Sequence, residues 1–94
     1  MAAKTTRWDV MNHLKTPEDI AAYLEAAFED GDPMLIAAAI GDAARAHGMT
    51  ALANETGLAR EALYRALSEN GNPEFATVLK VLGALGVKLT AEAV

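Results

Sequence analysis

The chain has no cysteine, which excludes a disulfide framework, a thiolate zinc site and a thiol nucleophile together. Aromatics are scarce at one Trp, two Tyr and two Phe, so any core is built from aliphatic side chains. No apolar run approaches the roughly 20 residues needed to span a bilayer, and the opening MAAKTTRWDV lacks a signal-peptide apolar stretch. The expectation is a soluble, cytoplasmic protein with no membrane partner. Histidine is limited to His13 and His47, without an i, i+4 pair or an HExxH run, which argues against zinc. Glu29, Asp30 and Asp32 do not follow the twelve-residue calcium-loop pattern. Ser68 is the only serine, with no base placed beside it, and Gly83 and Gly86 form no phosphate-binding loop. These gaps point away from an enzyme and from any metal or cofactor.

What is present is alanine, leucine and acid. The 94 residues, 52% of them hydrophobic, suffice for one domain over 1–94. Short side chains and good helix formers suit closely packed helices. The net charge of −5 argues against a simple nucleic-acid coat protein, which is normally basic. Residues 1–32 carry three basic and seven acidic side chains, a net of −4; residues 33–94 carry five and six, a net of −1. Such a split suggests an acidic front surface and a nearly neutral remainder with different partners, although acids that merely solvate a helix fit the charge equally well.

Punctuation divides the chain into helices. Met1 to Thr6 is a frayed end, and Arg7 to Leu14 holds a short helical turn with Trp8 and Leu14 as anchors. Thr16-Pro17-Glu18-Asp19 starts a helix with a capping hydroxyl, proline in the first turn and acids on the positive dipole end. Ile20, Tyr23, Leu24, Ala27 and Phe28 give it one apolar stripe, and Asp30-Gly31 ends it. Asp32-Pro33 starts a second helix to about His47, with Ile36, Ile40, Ala43, Ala44 and His47 inward and Gly48 as the stop. His47 suits the negative end of that dipole. Gly41 inside the helix costs about 1 kcal/mol relative to Ala, a cost explained if another helix approaches there. Asn72-Pro73 repeats the start signal for a last helix with Phe75, Val78, Leu79, Leu82 and Leu85 as its stripe and Gly86 as its end. The tail, 87–94, is a short strand or a disordered end; a strand would favour a dimer, since a lone strand lacks a pairing partner.

Between these lies MTALANETGLAREALYRALS, residues 49 to 68, which has the pattern of a helix-turn-helix. Ala53 is small where two helices cross, and Gly57 stands where the chain turns with φ > 0. Leu52, Leu58, Leu63 and Leu67 fall inward, leaving Arg60, Glu61, Tyr64 and Arg65 outward. A helix so presented fits the major groove, where Arg bonds guanine in bidentate fashion and Glu accepts from cytosine. Arg60 could instead pair with Glu61 or Glu55. Arg65 lies about 140° round the helix from Arg60 and suits a phosphate. Tyr64 offers its hydroxyl to a phosphate or packs its ring at the domain edge. Thr50 can cap the first helix and contact a phosphate. In the front third, Trp8, Asp9, Tyr23 and Phe28 combine aromatic and acidic groups. They either anchor the first helix or form a patch for a basic protein.

From WDVMNHLKTPEDIAAYLEAAFEDGDP through IAAAIGDAARAHGMTALANETGLAREALYRALSENGNPEFATVLKVLGALGVKL, the chain resembles the addiction-module antidote (antitoxin) proteins with a phage-repressor-like, Xre-type helix-turn-helix domain. The run GLAREALYRALSENGNPEF is the most specific part. The resemblance implies an all-α, compact, lambda-repressor-like domain of about five helices plus a short N-terminal turn. In it, 1–32 is an acidic helical segment, 33–86 the repressor-like core and 87–94 a tail. It also implies an antitoxin of a type II module that neutralises a small, basic, ribonuclease-like toxin by direct binding. As a homodimer on double-stranded, palindromic operator DNA, such a protein represses its own operon. Thr50, Arg60, Glu61, Tyr64 and Arg65 then face DNA, and Trp8, Asp9, Tyr23 and Phe28 face the toxin. One departure is Ala59, where such proteins commonly carry Ser after Gly-Leu: it cannot cap, at a cost of about 0.5–2 kcal/mol. Two other readings stay open, a stand-alone prophage-type regulator and a helical interaction module without DNA binding.

Overall fold

A computed structural model describes residues 12–68 and 70–94; Trp8, Asp9 and most of the turn expected over residues 7–14 lie outside the described residues. Five substantial helices follow in order: α1 (Pro17–Asp30), α2 (Pro33–His47), α3 (Met49–Thr56), α4 (Arg60–Ala66) and α5 (Phe75–Ala84). No strand occurs among the described residues, so the protein is all-α.

The helix starts at 16–17 and 32–33 follow their sequence signals. Thr16 Oγ1 accepts from Asp19 N–H at 3.1 Å while the Asp19 carboxylate accepts from Thr16 N–H at 3.2 Å, a reciprocal capping box. Asp32 Oδ1 accepts from Met34 N–H at 3.0 Å. The third signal fails. Residues 71–74 run outside any helix and α5 begins at Phe75, with Glu74 as an extended N-cap whose side chain makes no capping bond. In the preceding loop Gly71 passes so close to the end of α4 that an added Cβ would overlap the Arg65 and Ala66 carbonyls.

The tail forms no strand. The Val87 N–H instead bonds the Leu82 carbonyl at 2.9 Å and Gly86 N–H bonds Gly83 at 3.1 Å, closing α5 with the paired bonds of a Schellman cap.

One core joins all five helices. α1 packs on α2, and α3 touches α2, α4 and α5. The short α3 is therefore the hub, with Leu52 wholly buried at its centre. Leu14, Ile20, Leu24, Ala27, Ile40, Ala43 and Ala44 are buried as their periodicity requires. Four residues depart from the expected stripes, Phe28 among them as an exposed edge residue. His47 is not on the buried side of α2; it sits at the rim and pairs with Glu55 at 2.7 Å. Phe75 and Leu79 point outward, 66% and 45% exposed, while Val81 is fully buried with Leu82 and Leu85. The buried face of α5 is thus turned towards Val81, because Val78, Val81, Leu82 and Leu85 satisfy helical spacing as well as the Phe75–Leu79 series does.

Candidate functional site

The α3–α4 pair begins at Gly48, and α3 has no side-chain cap. Thr50 therefore does not cap it; the residue lies one position inside the helix, exposed. At the other end Thr56 pins the bend. Its hydroxyl donates to the Leu52 carbonyl at 2.8 Å and accepts from Leu58 N–H at 3.3 Å. Gly57 then turns the chain with φ 74°, its N–H returning to the Ala53 carbonyl at 2.9 Å. An added Cβ there meets nothing within 4 Å, so the backbone angle, rather than space, calls for glycine. Ala59 is the extended residue before α4 and makes no capping bond, as its side chain dictates.

Leu63 and Leu67 anchor α4 from below at 1% and 2% exposure. Arg60, Glu61, Tyr64 and Arg65 are all left exposed on the outer side. Arg60 does not take either acidic partner: Glu55 is held by His47, and the Arg60 guanidinium folds over the Tyr64 ring. The separation is 5.3 Å to the ring centroid, and Nη2 donates to the Tyr64 hydroxyl at 3.3 Å. An exposed cation–π contact is worth about 0.5–1 kcal/mol, against about 1–3 kcal/mol for a bidentate Arg–guanine pair. The stack is thus weak enough for a bidentate partner to draw the Arg60 guanidinium away from it. Thr50, Ala53, Asn54, Ala59 and Arg60 line one open depression across the bend. Asn54 lies one helical turn beyond Thr50 and shares this surface. The i, i+4 spacing from Thr50 was the available signal for it.

The C-terminal end of α4 is held from α2. Arg45 Nη2 donates to the Leu67 carbonyl at 3.3 Å, a cation at the negative end of a helix. Gly41 makes the approach possible, because a Cβ there would stand 2.7 Å from the same carbonyl and 2.9 Å from Arg45 Nη1. Arg45 also lies 3.8 Å from Asp42, and Asp42 accepts from the Tyr23 hydroxyl at 2.9 Å. Polar contacts thus run from α1 through α2 to the end of α4.

That chain of contacts separates the expected front-face residues. Tyr23 is half-buried, packs against the core and turns its hydroxyl inward to Asp42. Phe28 stands at the edge, 36% exposed, beside the start of α2 and the tail. The structure does not bring the two rings into one patch. Among the described residues, no three His, Asp or Glu side chains converge as a metal site, and no helix is long and apolar enough to cross a membrane.

Comparison with known proteins adds two findings. A family model described as probable addiction module antidote protein matches residues 4–93. An uncharacterized protein of Haemophilus influenzae (strain ATCC 51907 / DSM 11121 / KW20 / Rd) is 41% identical over 92 residues, covering 98% of this chain and 95% of that protein. No solved structure matches the chain.

Proposed function

Because this chain belongs to the family of probable addiction module antidote proteins, we propose that it is the antitoxin of a type II toxin–antitoxin module. It acts in the cytoplasm, binds a small, basic, ribonuclease-like toxin directly, and represses its own operon through sequence-specific DNA binding. The observation that carries the antitoxin role is the family match across residues 4–93.

The operator-binding half of the reading is supported by α4, whose four polar side chains face outward from a bend held by Thr56 and Gly57. Arg60 and Glu61 read base edges, while Thr50, Tyr64 and Arg65 hold phosphates. With seven residues, α4 spans about 10 Å at 1.5 Å per residue and reaches only a few base pairs. A homodimer placing two copies on half-sites one helical turn apart supplies the affinity that one copy lacks.

Co-expression with the product of the adjacent gene, one partner tagged, tests the antitoxin role by size-exclusion chromatography. The expected result is a stable complex with a small basic protein that arrests growth when expressed alone. A harmless neighbour that never co-elutes would overturn the reading. Operator binding is tested on the promoter DNA upstream. Arg60→Ala should cost about 1–3 kcal/mol and relax specificity at one position, whereas Arg65→Ala should lower the salt slope by about one. Unchanged binding by both variants would remove α4 from the interface.

A further inference from the structure

A second open surface, mainly apolar, lies between α1, α2, α5 and the tail. Phe28 from the end of α1, Met34 and Ile36 from the start of α2, Phe75 from α5 and Leu89 from the tail line one groove. Four of them are substantially exposed, Met34 and Phe75 at 64% and 66%. Leaving two large apolar side chains in water beside one another has a cost that covering them recovers, at about 25 cal/mol per Å². Such a groove fits an apolar side chain presented by another molecule.

Charge identifies the occupant. Phe28 and Leu89 also border a second groove, whose lining includes Glu25, Glu29 and Glu92 and a single cation, Lys88. Asp30 and Asp32 stand exposed at the α1–α2 junction between Phe28 and Met34. Nothing within the described fold neutralises Glu25 or Glu29 by an ion pair. The apolar floor and the acidic wall are therefore one continuous surface. DNA and anionic membranes are repelled by it. In a two-fold pairing the same patch meets itself, so a second copy would bring the two sets of carboxylates together. A basic protein that offers an apolar anchor flanked by Lys or Arg complements both parts.

We infer that the groove between α1, α2 and α5, with its Glu25–Glu29 wall, is the docking surface for the basic toxin. This rests on the antitoxin reading above and adds its location: Phe28 belongs to the surface, Tyr23 does not, and Met34, Phe75 and Leu89 join it.

Three full-length proteins test the assignment against the purified product of the adjacent gene: wild type, Met34→Glu/Phe75→Glu, and Glu25→Lys/Glu29→Lys. Both substituted pairs are exposed, and thermal melts check that each variant keeps the wild-type fold. The groove variant should bind at least about 100-fold more weakly, as central interface anchors do. The wall variant should associate about 10-fold more slowly at low salt, with the difference shrinking as salt rises. Arg60→Ala/Arg65→Ala should bind the toxin like wild type. If wild type binds and both surface variants bind equally well, the surface lies elsewhere while the antitoxin reading stands. Should the groove variant turn a dimer into monomers yet keep its toxin affinity, a second copy is the occupant and the assignment fails. If wild type itself binds no such protein, the antitoxin reading and the assignment fall together.

Discussion

Single residues carry more of the architecture than their exposure suggests. Gly41 is weak as a helix former, yet it lies where α2 meets the end of α4, and the Leu67 carbonyl stands only 2.7 Å from where its Cβ would be. Gly41→Ala would gain about 1 kcal/mol in helix propensity but force a backbone carbonyl aside, and overpacking of this kind costs about 1–3 kcal/mol. The second effect wins, because a backbone atom cannot swing away as a side-chain tip can. The expected outcome is a lower midpoint in a thermal melt and weaker operator binding through the displaced α4; a midpoint raised above wild type would contradict it. Sequence alone raised the close approach at Gly41, but it could not name the approaching group. Leu67 and Gly41 are 26 positions apart, and only the folded chain brings them together.

Elements differ in how well their ends were encoded. α1 and α2 start where a side-chain oxygen sits before a proline, because cap and proline both act within one turn of the chain. α5 ignores the same signal at Asn72-Pro73 and starts at Phe75, after a loop whose Gly71 leaves no room for a side chain beside the Ala66 carbonyl. α4 is the shortest of the five helices, seven residues with no side-chain cap at Ala59. Ala59→Ser should supply the missing acceptor and stabilise the protein by about 1 kcal/mol, read as a higher melting midpoint. The new hydroxyl should also tighten binding to operator DNA. An unchanged midpoint would mean that the first turn of α4 is already satisfied by water. The tail, read from sequence as a short strand or a disordered end, begins by closing α5, its Val87 amide spent on Leu82.

At the scale of the whole molecule, the acidic front is not a separate unit. α1 buries Ile20, Leu24 and Ala27 in the same core that holds Leu52, Leu63 and Leu82, and Tyr23 ties it to Asp42. Unfolding should accordingly be one cooperative step. Far-UV circular dichroism and tyrosine fluorescence should give coincident transitions, and two resolved transitions would show the front helix melting alone. The same unity separates two surfaces: α4 offers Arg60 and Arg65 on one side, and the apolar groove with its acidic wall is built where α1, α2 and α5 meet.

The sequence by itself determined the helical class, the starts of α1 and α2, the bend at Gly57 and the outward set on α4. All of these depend on interactions within a few residues: caps, prolines, φ angles and 3.6-residue spacing. Tertiary structure alone decided which face of α5 is buried, where α5 begins and what occupies the space beside Gly41. It also brought Phe28 to Met34, Phe75 and Leu89. Several helical stripes in so apolar a chain satisfy the same periodicity, and the choice among them belongs to contacts between residues distant in sequence.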